Sequence, residues 1–327
     1  MTGLLPRESF GVEMIKTDVI GCILAPDRKG KNGKFMLTQS TLRCLVIRNL
    51  LFALCGVFLL AGSSVALFAQ LAGPNESGVS IAQAHLIVRN PAEQKKLWVD
   101  ILGTKVTHSG SLELLKLPGI FIVLEQGEPT GGSGGTSVNH LGFLIKDYAD
   151  IKAKITAAHI EVAADGYKAD GCAAAPGTPA CQFTVVFPDG VRVEFTEDKT
   201  LPVPVANHHI HMNIPDREGV RAWYAKTLGA TAGLRRGTIM AAKFPGDYGG
   251  EIDFNPATEA PLGTKGRSID HIGFEVKGLA AFCKRLEAQG VALDEPYHPV
   301  PGTGLKSAFI TDPVGTRIEL TEGLPAN

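Results

Sequence analysis

The sequence predicts an α+β protein made of four copies of a strand-helix-strand-strand-strand unit, set in two tandem pairs, and three observations carry that expectation. SIDHIGFEVKG, Ser268 to Gly278, has a near twin in SVNHLGFLIKD, Ser137 to Asp147. AHLIVRNPAEQKKLWVDILG lies without a gap over IHMNIPDREGVRAWYAKTLG when His85 is set on His211, so that Trp98 meets Tyr224 and Gly103 meets Gly229. Two segments close on the pattern P-x-G-x-x-x-E, from Pro188 to Glu194 and from Pro313 to Glu319. Repetition of this kind marks stacked or paired supersecondary units.

The stretch ahead of the repeats has a different character. From Leu50 to Ala72 no side chain is charged, Arg43 and Arg48 precede the run, and small residues follow it. A basic start, an apolar middle and a small-residue exit predict a signal peptide over 36–72, with Ser64-Val65-Ala66 or Ala69 as the cleavage point. The same run is long enough to anchor the chain in a bilayer uncleaved. Either outcome places the globular part outside the cytoplasm, periplasmic or secreted, with membrane contact only through this segment. Residues 1–35 are an N-terminal extension of uncertain standing, and Met36 is a candidate start. At 327 residues and a net charge of -1, the chain has room for two domains and no basic footprint for nucleic acid. Cys172 and Cys181 bracket the loop AAAPGTPA, which a disulfide would close in an oxidising compartment, while Cys283 reads as a buried small hydrophobe. No CxxC spacing is present.

The units begin near Ile81, Ser137, Asn207 and Ser268. In each opening strand alternate residues share a face. Gln83, His85 and Ile87 oppose Ala84, Leu86 and Val88; His140 opposes Leu141, Phe143 and Ile145. In the later pair His209, His211 and Asn213 oppose Ile210, Met212 and Ile214, and His271 opposes Ile272, Phe274 and Val276. Amphipathic helices follow, two of them stopping at Gly103 and Gly229. Strand-like segments come next: KVTHSG, LELLKL and IFIVLEQ; EVAAD, QFTVVF and VRVEFTE; TIMAAKF and EIDFN; SAFITD and TRIELTE. Taken in chain order, the first module spans 81–198 and the second 207–323, joined by the proline-stiffened linker TLPVPVA at 200–206. Trp98 and Tyr224, on their helices, read as core or interface aromatics.

Each pair of units thereby offers two histidines and a glutamate on the polar faces of three separate strands. These features resemble the vicinal oxygen chelate (VOC) superfamily, which holds glyoxalase I, fosfomycin- and bleomycin-resistance proteins and extradiol dioxygenases. The resemblance rests on the H-[LI]-G-F strands at His140 and His271, the helices ending in LG, and the P-x-G-x-x-x-E closings, over about Ile81 to Gly323. It implies that two units curl a mixed sheet into a cup around a divalent metal (Fe2+, Mn2+, Zn2+ or Ni2+). Carried over by position, the first module would use His85, His140 and Glu194, and the second His211, His271 and Glu319, with His209 competing against His211. Glu125 in the first module and Asp253, or Glu251, in the second would be an added carboxylate. Two imidazoles and a carboxylate leave other metal positions open for substrate or water.

The resemblance implies glyoxalase-like lyase or isomerase chemistry on a small oxygenated substrate, in which Glu194, Glu319 or Glu125 moves a proton beside the metal. A dioxygenase holding a catecholate on iron is the first alternative. Against its standard form, Phe309 and Thr184 stand where the extradiol signature has a tyrosine. A metal-free cup that sequesters a ligand, as in bleomycin resistance, is the second. Arg192 and Arg317, two residues before the glutamates, are candidates to grip an anionic substrate or else to pair with neighbouring carboxylates. A tandem chain already imitates the dimer of single-module relatives, so the expected state is a monomer or a homodimer.

Overall fold

The computed structural model describes residues 71–165 and 182–325. The segment expected to be a signal peptide or anchor and the expected Cys172–Cys181 disulfide lie outside these residues. No helix among the described residues is long and apolar enough to cross a membrane.

All four units fold as expected, within one compact body, Phe68–Asn327. The first runs β1 (Val79–Val88), α1 (Pro91–Leu102), β2 (Lys105–Ser109), β3 (Leu112–Leu117) and β4 (Ile120–Gln126). The second runs β5 (Val138–Ile145), α2 (Tyr148–Ala157), β6 (Glu161–Asp165), β7 (Gln182–Phe187) and β8 (Val191–Glu197). β9 (Val205–Ile214), α3 (Arg217–Leu228), β10 (Thr231–Arg235), β11 (Ile239–Lys243) and β12 (Glu251–Pro256) form the third. β13 (Ile269–Val276), α4 (Leu279–Ala288), β14 (Glu295–Pro299), β15 (Lys306–Thr311) and β16 (Arg317–Glu322) form the fourth. The aligned helices α1 and α3 start and stop by the same chemistry. Asn90 and Asp216 accept hydrogen bonds from the amides of Glu93 and Gly219, and Gly103 and Gly229 end them at φ of 70° and 73°. A side chain at that left-handed cap would be strained, which is why LG recurs.

Two strands lacked a sequence signal. β14 is the proline-bearing segment EPYHP, and β10 contains Gly233. Both lie at sheet edges, where a missing donor or side chain does least harm. β9 starts at Val205, inside the stretch read as linker, because Val205 already pairs with Ile145.

The strands make two mixed eight-stranded sheets, in the orders β14-β15-β16-β13-β1-β4-β3-β2 and β10-β11-β12-β9-β5-β8-β7-β6. Each sheet joins one unit from each half of the chain. The first unit pairs with the fourth through antiparallel β1 and β13, and the second with the third through β5 and β9. Whether the modules close within themselves or exchange units, which the sequence leaves open, is decided by this pairing: the units are exchanged. The physical reason lies in the two crossover segments, which run from sheet to sheet and bind one another. Thr130 N donates to Gly266 O at 2.8 Å, Ser137 N to Leu262 O at 2.9 Å, and Leu262 N to Gly135 O at 3.0 Å. Arg267 adds a guanidinium bond to Gly132 O at 3.2 Å.

The apolar strand faces and the helices merge into one core spanning both sheets. Trp98 of α1 is fully buried edge-on to Phe143 and Phe187, which belong to the second unit. Tyr224 of α3 is also fully buried and donates to Asp312 Oδ2 at 3.0 Å. Both aromatics are structural, as their helical positions suggested.

Candidate metal centres

The polar faces of the two sheets converge on two clusters. In the first, antiparallel pairing sets His85 directly against His271, and their rings lie 4.4 Å apart. Parallel pairing of β13 with β16 sets Glu319 beside Gly273, two residues on from His271. As a result His85, His271 and Glu319 bring ligand atoms within 4.8 Å of one another. Glu319 Oε2 lies 3.3 Å from His271 Nε2 and accepts from Gln83 Nε2 at 2.5 Å, while Ser307 Oγ donates to its Oε1 at 2.7 Å. Glu125, on β4, reaches His85 Nε2 at 3.0 Å and is mostly exposed.

A carboxylate stands behind this cluster. Asp270 Oδ1 lies 2.6 Å from His271 Nδ1 and also accepts from Arg317 Nη1 at 2.7 Å, and the Gly266 amide donates to Asp270 Oδ2 at 2.6 Å. That arrangement fixes the ring and turns Nε2 toward Glu319, the usual way a ligating imidazole is oriented. Although burial disfavours the imidazolium of His271, bonds to Asp270 and Glu319 raise its pKa above the ordinary value. Burial, then repulsion from His271, lowers that of His85. The donors open on a cavity of about 330 Å3 with apolar walls that include Leu112, Val123, Leu305 and Phe309.

The second cluster uses the same strand positions with different residues. His140 faces His211 across β5 and β9, stacked at 4.3 Å. His209, two residues before His211, takes the place that Gln83 holds before His85. Its Nε2 lies 3.4 Å from His140 Nε2, 3.7 Å from Glu194 Oε1 and 4.0 Å from Asp253 Oδ2. His140, His209 and His211 form a triad fit for a metal, with Glu194 Oε2 at 3.6 Å from His140. Gly142 makes room for this: a Cβ there would meet the His209 ring at 2.2 Å, which explains the glycine of H-L-G-F.

Charge separates the two clusters. Arg235 is buried in the second, bonded to Asp253 and 3.8 Å from Glu251. Burial and the nearby Arg235 charge push His211 down to about 4, and burial with Arg235 and Arg236 pushes His208 down to about 3. Burial raises Asp253 to about 7 against the pull of Arg235, and also raises Glu194.

The residues picked from the sequence thus all lie in one cluster or the other, but regrouped. His85, His271, Glu319 and Glu125 meet in the first; His140, His211, His209, Glu194 and Asp253 meet in the second. The sets His85/His140/Glu194 and His211/His271/Glu319 are corrected, since each drew its members from two different sheets. Glu251 stands at the edge of the second cluster. Arg317 pairs with Asp270 and Glu295, whereas Arg192 Nε has no hydrogen-bond partner among the described residues. Sequence reasoning missed Gln83, Asp270, Ser307 and Arg235. Of these, Asp270 had a signal, as the residue next to a ligand histidine, and Gln83 shared the face of His85.

A pair of units surrounds each polar cluster with groups that could hold a metal ion, and comparison with known proteins shows what this arrangement resembles. Residues 206–320 match the model of the Glyoxalase/Bleomycin resistance protein/Dioxygenase superfamily. Among solved structures, glyoxalase I from Zea mays superposes with a TM-score of 0.57 at 16% identity, covering 75% of this chain and 92% of that one. A putative dioxygenase from Bacillus subtilis superposes with a TM-score of 0.56 at 13% identity, covering 79% and 87%. No curated protein matches the sequence. The segment 206–320 thus carries the family's sequence pattern, and the described chain as a whole has the fold of VOC proteins.

Proposed function

We propose that the first cluster is the active site of a divalent-metal-dependent enzyme that carries out glyoxalase-like proton transfer, as a lyase or isomerase, on a small oxygenated substrate. The observation that supports this most is the convergence of His85, His271 and Glu319 at the floor of an open cavity, with Asp270 bracing His271 from behind. The donor set fits a divalent ion: two imidazoles and a carboxylate on one side leave the cavity side free. Bound there, an ion supplies Lewis acidity toward neighbouring substrate oxygens.

The two carboxylates differ in freedom. Glu319 is locked by Gln83, Ser307 and His271, which suits a ligand. Among the described residues Glu125 is hydrogen-bonded to His85 alone and its side chain is 62% exposed, which suits a group that swings to take a proton and return it. The apolar part of the wall, Leu112, Val123, Leu305 and Phe309, offers a surface for the body of the substrate. The second cluster, buried and carrying Arg235, is a subsidiary metal site or a structural one, with Glu194 as its carboxylate.

The purified protein is expected to take up a divalent ion at the first cluster, lost with chelator and on His271→Ala. It is then expected to isomerise thiohemiacetals or related 2-oxo substrates without consuming oxygen. Oxygen uptake with catechols would replace this reading with a dioxygenase, and a chain that ignores metal and chelator would make it a ligand-sequestering protein.

A further inference from the structure

We infer that the substrate of the first cup is uncharged or cationic, anions being turned away because Arg317 is already committed to Asp270 and Glu295. This rests on the reading of that cup as a metal-dependent active site and adds a substrate class to it.

Among the described residues lining the cavity, Arg317 is the lone lysine or arginine, beside Glu125, Glu295 and Glu319. Its guanidinium has little left to offer a ligand. Nη1 donates to Asp270 Oδ1 at 2.7 Å, Nη2 donates to Glu295 Oε1 at 2.6 Å, and the plane lies over Phe309 with Cζ 3.9 Å from the ring centre. A forked, stacked guanidinium is held in place by its geometry as well as its charge. The charge balance points the same way. A divalent ion would offset Glu319 and Glu125, and Arg317 is shared between Asp270, behind His271, and Glu295, at the wall, so one negative charge remains uncompensated around the cavity. A carboxylate or phosphate on the substrate would meet that charge in a partly desolvated cavity, where like-charge contact is costly.

The second cup shows that the same position need not behave so. Arg192 stands two residues before Glu194 as Arg317 stands before Glu319, yet among the described residues its Nε is unpartnered, and Arg235 and Arg236 lie near Glu194. In the first cup Asp270 and Glu295 instead take up the charge of Arg317, which leaves the acidic lining of Glu125, Glu295 and Glu319 without a free cation among the described residues.

The test uses three catechols that present the same pair of neighbouring oxygens: catechol, its anionic carboxylate protocatechuate, and the cationic amine dopamine. Zn2+ is titrated first by calorimetry, then each catechol is titrated into the zinc-loaded protein without oxygen. Catechol and dopamine are expected to bind at least about tenfold more tightly than protocatechuate. Glu295→Gln, at a half-exposed residue outside the ligand set, is expected to release Arg317 and narrow that gap several-fold. Failure to take up Zn2+ would overturn the enzymatic reading and this inference together. Uptake of Zn2+ followed by equal binding, a preference for protocatechuate, or no binding of any catechol would overturn this inference alone. A gap unchanged by Glu295→Gln would overturn the role given to Arg317.

Discussion

His85 and His271, which belong to the first and last of the four repeats, face each other at 4.4 Å on adjacent antiparallel strands. His140 and His211 repeat the relationship in the other sheet at 4.3 Å. Each cup is thus built about a local two-fold between opening strands, and its ligands arrive as a related pair before the closing glutamate is added.

Asp270 orients His271 without touching the metal position. Asp270→Asn is expected to weaken divalent metal affinity by about 10- to 100-fold while leaving the fold intact. Calorimetric titration of metal into the chelator-treated protein checks this, with circular dichroism as the folding control. An unchanged affinity would remove Asp270 from the site.

Glu125 and Glu319 are expected to separate experimentally. Glu125→Gln should retain the metal and lower turnover by about 10²- to 10⁴-fold, the range for a proton-transfer group. Glu319→Gln should lose metal first. Metal content measured beside kcat distinguishes them, and equal metal loss in both variants would make Glu125 a ligand and not a base.

Gly142 faces the His209 ring at a distance no side chain tolerates. Gly142→Ala is expected to destabilise the protein by about 1–3 kcal/mol through overpacking. Urea unfolding measures it, and a neutral result would mean that His209 moves freely.

Acid should loosen the second cup in the metal-free protein. His211 is held at about 4 against an ordinary value of 6.5, so the unfolded chain binds more protons in between and stability falls as pH drops from 6.5 toward 4. His140, His208 and His209 are lowered too and act in the same direction. Asp253, raised to about 7, works oppositely, since the native state keeps its proton while the unfolded chain loses it. Glu194, also raised by burial, opposes the histidines in the same way; four histidines outweigh the two carboxyls, and the urea midpoint is expected to decline below pH 6.5. His211→Asn should flatten the decline; a midpoint level from 7 to 4 would contradict the buried, neutral histidines.

Much of this was legible in the sequence because strand alternation writes the polar face directly. His85, His140, His211, His271, Glu194 and Glu319 were found that way, as were the caps at Gly103 and Gly229. Partner choice was not legible. The alternation around His85 is satisfied equally by pairing with β5 or with β13, and what decides is hydrogen bonding between crossover loops, which have no periodicity. Arg235 escaped notice for a similar reason: its edge strand carries little apolar patterning, and its burial depends on Asp253 from another strand.

Because each half of the chain supplies only part of either donor set, a cut within TLPVPVA would not yield two smaller working proteins. Residues 71–204 alone would carry His85 without His271, and His140 without His211. Inheritance of the two centres is joint: damage to either half is expected to impair both, and mixing separately expressed halves should restore metal uptake only when both are present.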